Sequence, residues 1–264
     1  MQNLKIYFGI NDGNALVNYV KLLQWLEVSK CAKEDGDKVY VLPFVHDLKI
    51  EGESIYSVIK GKTSEEKYFL RFLGQSSCDI DDTKELIMLL DDSSYINQVG
   101  AFGDMPEIEK KYPEQYIEKA EDLQKVKIYY LKKKKDFSGF EFEIQSCFKK
   151  LHFNKFNWST FDKKDIPEIL DDLQILQDEA MDIYESKGRQ AGEALKELNT
   201  FFECSGASSA KYTDSVNLGD KTVQINYAPH IKIERADSDK RIYFALGNKN
   251  TGNRIVVYSI GGHL

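Results

Sequence analysis

Apolar and polar positions along the chain switch between two periods, and the switches mark its elements. Leu4–Gly9 is a short run of β-type residues, broken by Asn11-Asp12-Gly13, which can cap a helix. Leu16, Tyr19, Val20, Leu23 and Leu26 then recur at helical spacing, so an amphipathic helix is expected over 14–33, ended by Glu34-Asp35-Gly36-Asp37. Lys38–Val45 reads as a strand that Pro43 bends or confines to an edge. Helical stretches are expected around Glu65–Leu73, Thr83–Leu90 and Pro113–Val126. Val126–Leu131 and Phe140–Ile144 read as strands around a Lys132–Lys135 loop, a solvated hairpin tip, because Phe140, Phe142 and Ile144 alternate with Glu141 and Glu143.

Patterning is clearer further on. Phe153–Thr160 reads as a strand with Phe156 and Trp158 on one face. Asp165 and Glu168 resemble a capping box, and Pro167 suits a first helical turn. Ile169, Leu173, Leu176, Ala180 and Ile183 make an apolar stripe, interrupted by Lys187-Gly188, before a second helix carrying Ala191, Ala194, Leu195, Leu198, Phe201 and Phe202. After the polar loop at Ser205, strands are expected at Lys221–Arg235, Arg241–Gly247 and Arg254–Ile260, joined by hairpin-sized connections. The order from Phe153 is β-α-α-β-β-β, an antiparallel sheet packed by two helices. The fold class is therefore α+β. An N-terminal α+β domain (residues 1–150) precedes a C-terminal one (151–264), with the boundary near 146–152.

Composition narrows the function classes. The 264 residues are 42% hydrophobic and 30% charged, which fits a folded chain. No apolar run approaches the ~18–20 residues of a membrane span, and no basic flank with an apolar stretch marks an export signal. No membrane partner is expected. Cys31, Cys78, Cys147 and Cys204 are dispersed without a C-x-x-C pair, which suits a reducing compartment, so a cytoplasmic location is expected. The net charge of −7 is uneven: residues 1–150 carry −4, residues 151–220 carry −7, and residues 221–264 carry +4. The last 44 residues form a basic island in an acidic chain.

Parity sorts the side chains of that island. Val223, Ile225, Tyr227, Ile231 and Ile233 should face the helices, and Gln224, Asn226, His230 and Lys232 should face away. Ile242, Phe244 and Leu246 are the apolar set of the next strand, leaving Arg241 and Tyr243 on the open face. The last strand is apolar on both faces. The open face is thus expected to gather His230, Lys232, Arg241 and Tyr243, with Arg235, Arg254 and His263 at its margins. Lysine and arginine on an exposed sheet face are ordinary. Two of the chain's four histidines beside them are more particular.

A cationic, carboxylate-poor face suits phosphate, and imidazoles add proton transfer near neutral pH. Metal-free RNA cleavage needs this kit: a base for the ribose 2′-hydroxyl, fixed cations for the phosphorane and an acid for the 5′-oxygen. Its products are a 2′,3′-cyclic phosphate and a 5′-hydroxyl. His230, Lys232, Arg241 and His263 are the candidate catalytic residues; Arg235, Tyr243 and Arg254 are candidates for substrate binding. No metal site and no cofactor are expected, because the face lacks clustered carboxylates.

Arg241-Ile-Tyr-Phe, a turn and Arg254-Ile-Val-Val-Tyr-Ser-Ile-Gly-Gly-His263-Leu together resemble the C-terminal hairpin of RelE/ParE-superfamily toxins, most closely the YoeB-like mRNA interferases. The preceding αα hairpin and the Phe156-Asn-Trp-Ser opening also suit that family. The resemblance covers residues 152–264. It implies an endoribonuclease toxin of a toxin–antitoxin or phage-defence system, with RNA as partner, including mRNA on the ribosome, or gyrase in the ParE branch. By position, Arg241 matches the strand arginine at the scissile phosphate, His263 the near-terminal acid or base, and Lys232 or Arg235 a further cation. His230 has no counterpart and rests on parity alone. The acidic balance of residues 151–264, the insert at Ser205–Asp220 and the first 150 residues depart from the family. The N-terminal domain is expected to sense a trigger or to restrain the nuclease as a built-in antitoxin; otherwise an inhibitory partner protein is expected. The rival expectation is a non-catalytic RelE/ParE-like protein that binds a partner protein or nucleic acid.

Overall fold

The computed structural model describes residues 4–10, 17–61, 63–75, 78, 80–206, 210–234 and 238–264. The chain is mixed α+β and divides into two compact units, Met1–Lys133 and Lys134–Leu264. The division falls before the expected boundary near 146–152.

The first unit runs β1 (Lys5–Ile10), α1 (Tyr19–Glu34), β2 (Lys38–Val41), β3 (Lys49–Ile50), β4 (Glu53–Ser54), α2 (Ile55–Val58), α3 (Ser64–Gln75), α4 (Thr83–Asp91), β5 (Val99–Asp104), α5 (Pro106–Lys111) and α6 (Asp122–Leu131). Its main sheet is parallel, in the order β2-β1-β5. Strand β1 is apolar on both sides because both sides are covered. Ile6, Phe8 and Ile10 join a core with Trp25, Phe69 and Phe72, whereas Tyr7 packs with Leu86, Leu90 and Ile108. Strand β2 stops at Val41, and Pro43 opens a 3-10 turn over Pro43–Asp47 rather than continuing an edge strand. The helix expected from Pro113 begins at Asp122, whose carboxylate accepts the Glu118 and Lys119 N–H groups.

Val126–Leu131 is helical, not a strand. Leu123, Val126 and Tyr130 enter the core at helical spacing, which the shorter alternation in the sequence obscures. Lys127 is buried in the same helix, with its ammonium 2.7 Å from Asp37 and 2.9 Å from Asp35. Asp37 also accepts the Leu4 N–H and so fixes the start of β1.

The second unit runs α7 (Phe140–Cys147), β6 (His152–Phe156), α8 (Ile166–Asp178), α9 (Ala180–Ser186), α10 (Ala191–Leu198), β7 (Cys204–Ser205), β8 (Thr213–Leu218), β9 (Lys221–Asn226), β10 (His230–Lys232), β11 (Arg241–Ala245) and β12 (Val256–Gly261). Phe140–Ile144 belongs to a helix rather than a strand. Phe140, Ile144 and Cys147 are buried while Phe142 is 66% exposed, so the helical period governs. Lys134, expected at a solvated tip, is instead buried 3.2 Å from buried Glu143. Helix α8 buries Ile166, Ile169, Leu170, Leu173 and Leu176 along one stripe. Just before it, the Asp162 N–H donates to Asp165, which also pairs with Lys240 at 2.7 Å.

The main sheet has the order β6-β12-β11-β10-β7. Strand β6 is parallel to β12, and the other pairs are antiparallel. Ile231, Ile242, Phe244 and Ile260 are fully buried on one face. A bulge in β12 opposite Tyr243 puts Tyr258 and Ser259 together on the other face.

The expected strand Lys221–Arg235 is broken. The Asn226 side chain accepts the Ala228 N–H, and Pro229 has no N–H to continue a ladder. Strand β9 therefore leaves the sheet and pairs with β8 as a separate ribbon. The ribbon's apolar residues do not face the helices as parity suggested. Val216, Val223 and Ile225 pack on Tyr243, Ala245, Val256 and Tyr258, the opposite sheet face. Polar contacts seat the ribbon: Tyr258 donates to Asp214 at 2.5 Å and accepts from Lys155 at 2.8 Å, and Tyr227 stacks on Tyr258 at 3.8 Å.

Candidate functional site

The ribbon roofs only part of that face. Beyond it, β10, β11 and the residues after β12 bring several of the expected side chains together. Cross-strand partners share a face, and the register pairs His230 with Tyr243 on one side and with Ser205 on the other. Lys232 pairs with Arg241, and Arg241 with Gly261.

His230 is half-buried between these neighbours, its ring 5.1 Å from that of Tyr243. Its Nδ1 lies 3.0 Å from the Ala228 carbonyl and its Nε2 2.8 Å from Ser205 Oγ. A carbonyl only accepts, so Nδ1 carries the ring proton and Nε2 of the neutral ring accepts from the Ser205 hydroxyl. Burial pushes the His230 pKa down, and the charges of Arg241, His263 and Lys232 push it the same way, against the Ala228 hydrogen bond. Both influences favour the neutral ring.

The other candidates hold different positions. His263 is exposed and makes no hydrogen bond or ion pair among the described residues. Lys232 is ion-paired with Glu203, an acidic partner contributed from outside the expected strands. Arg241, also expected on an open face, is buried, because its Nη1 turns to the carbonyls of Ser238 at 2.5 Å and Lys240 at 2.8 Å. Tyr243, expected on an open face, is only 2% exposed beneath the ribbon, and its hydroxyl accepts the Leu264 N–H. That burial removes it as a substrate contact. Arg254 is not part of the group. It lies before β12, beside His152, whose pKa is lowered by burial and then by Arg254. The six residues of β12, about 20 Å of strand, separate it from His263. Arg235 lies outside the described residues.

Ser205 was missed by sequence reasoning. It sits in a polar loop sequence, and only the pairing of two-residue β7 with β10 brings it to His230. Among the described residues, no group of three or more His, Cys, Asp or Glu side chains is placed to hold a metal ion. No disulfide links Cys31, Cys78, Cys147 and Cys204. No helix of the described residues is long and apolar enough to cross a membrane.

The arrangement is a neutral imidazole with a hydroxyl on its basic nitrogen, a guanidinium nearby and a second imidazole open to solvent. It can accept a proton, stabilise negative charge and return a proton. No family model matches the chain, and the searches of curated proteins and of solved structures found no match to it.

Proposed function

We propose that the chain is a metal-independent RNA endonuclease of the toxin type, with its active centre on the unroofed part of the second unit's sheet. The observation that supports this reading most is the placement of His230: an imidazole on the same sheet face as Lys232 and Arg241, held through its two ring nitrogens by the Ala228 carbonyl and Ser205 Oγ. His230 acts as base toward the ribose 2′-hydroxyl. Arg241, buried and held by the Ser238 and Lys240 carbonyls, stabilises the phosphorane through its fixed positive charge. His263, exposed to solvent, protonates the departing 5′-oxygen. The order of a strand, helices and then antiparallel strands, with Arg241 on one and His263 just past the last, is the RelE-like part of the reading. The ribbon β8–β9 is an addition to it. In this reading the first unit senses a trigger or restrains the nuclease, and the setting is a toxin–antitoxin or phage-defence system.

The test is to induce the full chain in cells and map new RNA termini. The reading expects 2′,3′-cyclic phosphate and 5′-hydroxyl ends, retained in chelator and lost in His230→Ala and His263→Ala. Growth arrest without new RNA ends, persisting in both variants, would point to the second reading, a non-catalytic interaction protein. The ion pair that neutralises Lys232 and the ribbon over Tyr243 favour that alternative.

A further inference from the structure

We infer that Ser205 is a catalytic residue, whose hydroxyl takes the proton of the substrate's 2′-hydroxyl while passing its own to Nε2 of His230. The inference rests on the nuclease reading and deepens it. Both ring nitrogens of His230 are committed: Nδ1 to the Ala228 carbonyl at 3.0 Å, and Nε2 to Ser205 Oγ at 2.8 Å. The ring of Tyr243 walls another side at 5.1 Å. A substrate hydroxyl therefore meets no unoccupied ring nitrogen, and the base reaches it through Ser205, which is half-buried and so accessible.

The backbone is built for this contact. Ser205 and His230 are cross-strand partners, so their side chains share a face. Gly206 follows at φ +94, a conformation that side chains disfavour. A Cβ there would stand 2.0 Å from the Ala228 oxygen and 3.1 Å from His230 Nδ1. Only glycine lets the carbonyl that orients the imidazole come this close.

The step balances without a co-reactant. The 2′-O–H proton moves to Ser205 Oγ, and the Oγ–H proton moves to Nε2. The 2′-oxygen bonds to phosphorus, the P–O5′ bond breaks, and His263 protonates the leaving O5′. The substrate class is thereby restricted to phosphodiesters with an adjacent free hydroxyl, that is, RNA and not DNA.

The full-length protein and its Ser205→Ala, Ser205→Thr, His230→Ala and Ser205→Ala/His230→Ala variants are compared on a mixed-sequence single-stranded RNA oligonucleotide and its all-2′-deoxy counterpart. Thermal melting confirms that each variant is folded. Ser205→Ala should lose on the order of 100-fold in rate, and Ser205→Thr should recover most of the loss. The double variant should fall no further than His230→Ala, because the pair acts as a unit. The deoxy strand should remain intact. Cleavage by Ser205→Ala at the wild-type rate overturns the inference alone. Cleavage of the deoxy strand with phosphate left on Ser205, read by mass spectrometry, also overturns it, because serine is then the nucleophile. A wild-type protein that cuts neither strand overturns the nuclease reading, and this inference with it.

Discussion

Replacing Ile225 by alanine should unseat the ribbon from the sheet without altering the main sheet's own strands. Ile225 is 3% exposed and packs with Val216, Val223, Tyr243, Ala245, Val256 and Tyr258. In a closed core, truncating isoleucine to alanine costs about 2–5 kcal/mol. Here the low end applies, because Thr222 and Gln224 leave the ribbon's outer face exposed and the ribbon can settle into the gap. The contacts of Tyr258 with Asp214, Lys155 and Tyr227 remain in place. The expected loss is therefore about 2–3 kcal/mol, or roughly 30–150-fold in the folding equilibrium. The two tryptophans, Trp25 and Trp158, lie in different units. Urea denaturation in a Trp25→Phe background thus follows the second unit through Trp158 alone. Gln224→Ala, on the solvent face, should stay within about 0.5 kcal/mol of the parent. If Ile225→Ala and Gln224→Ala unfold at the same midpoint, the ribbon is not seated on the sheet and the account of the roofed face is wrong.

Other outcomes follow from single contacts. Lys127→Met leaves the Asp37 carboxylate buried without its cation and should cost about 3–5 kcal/mol. Burial already raises the Asp37 pKa, so the loss should be greatest at neutral pH and shrink on acidification as the carboxylate protonates, read in melts at several pH values. His230 has a pKa held below the ordinary histidine range by burial and by Arg241, His263 and Lys232. The unfolded ring protonates first, so this residue's contribution to stability should fall as pH drops below about 6.5 and be constant above it. RNA cleavage should decline only at the lower pH where the folded ring titrates, which an NMR titration of the imidazole locates. Arg241→Ala loses the bonds to the Ser238 and Lys240 carbonyls and should destabilise the fold by about 2–3 kcal/mol. Exposed His263→Ala should change stability by less than about 0.5 kcal/mol yet abolish cleavage, as separate melting and activity assays would show.

How much the sequence revealed depends on whether an element's partner is local. The stripe Ile169–Leu173–Leu176 needs only its own helix, and α8 is legible from it. Strand β1 is legible from its unbroken apolar run, although both of its ladder partners are distant in sequence. Phe140–Ile144 is ambiguous because positions four apart satisfy both periods; the burial of Cys147 and exposure of Phe142 decide it. Parity grouped His230, Lys232 and Arg241 on one face, as the register has them. It failed at Val223 and Ile225, because the break at Tyr227–Pro229 detaches the ribbon and lets apolar residues cap the face read as open. Glu203 and Ser205 reach the site through long-range pairing, which no local pattern carries.

At the bulge in β12, Tyr258 and Ser259 together oppose Tyr243, while Ile260 lies on the buried side and Gly261 is level with Arg241. The pairings on either side of the bulge would fit a chain without the extra residue equally well, because partners across a ladder share a face. What the extra residue adds is a second side chain opposite Tyr243, and one of the two, Tyr258, is the seat on which the ribbon rests. A single-residue deletion between Val257 and Ile260 should therefore spare the sheet's register and loosen its cover.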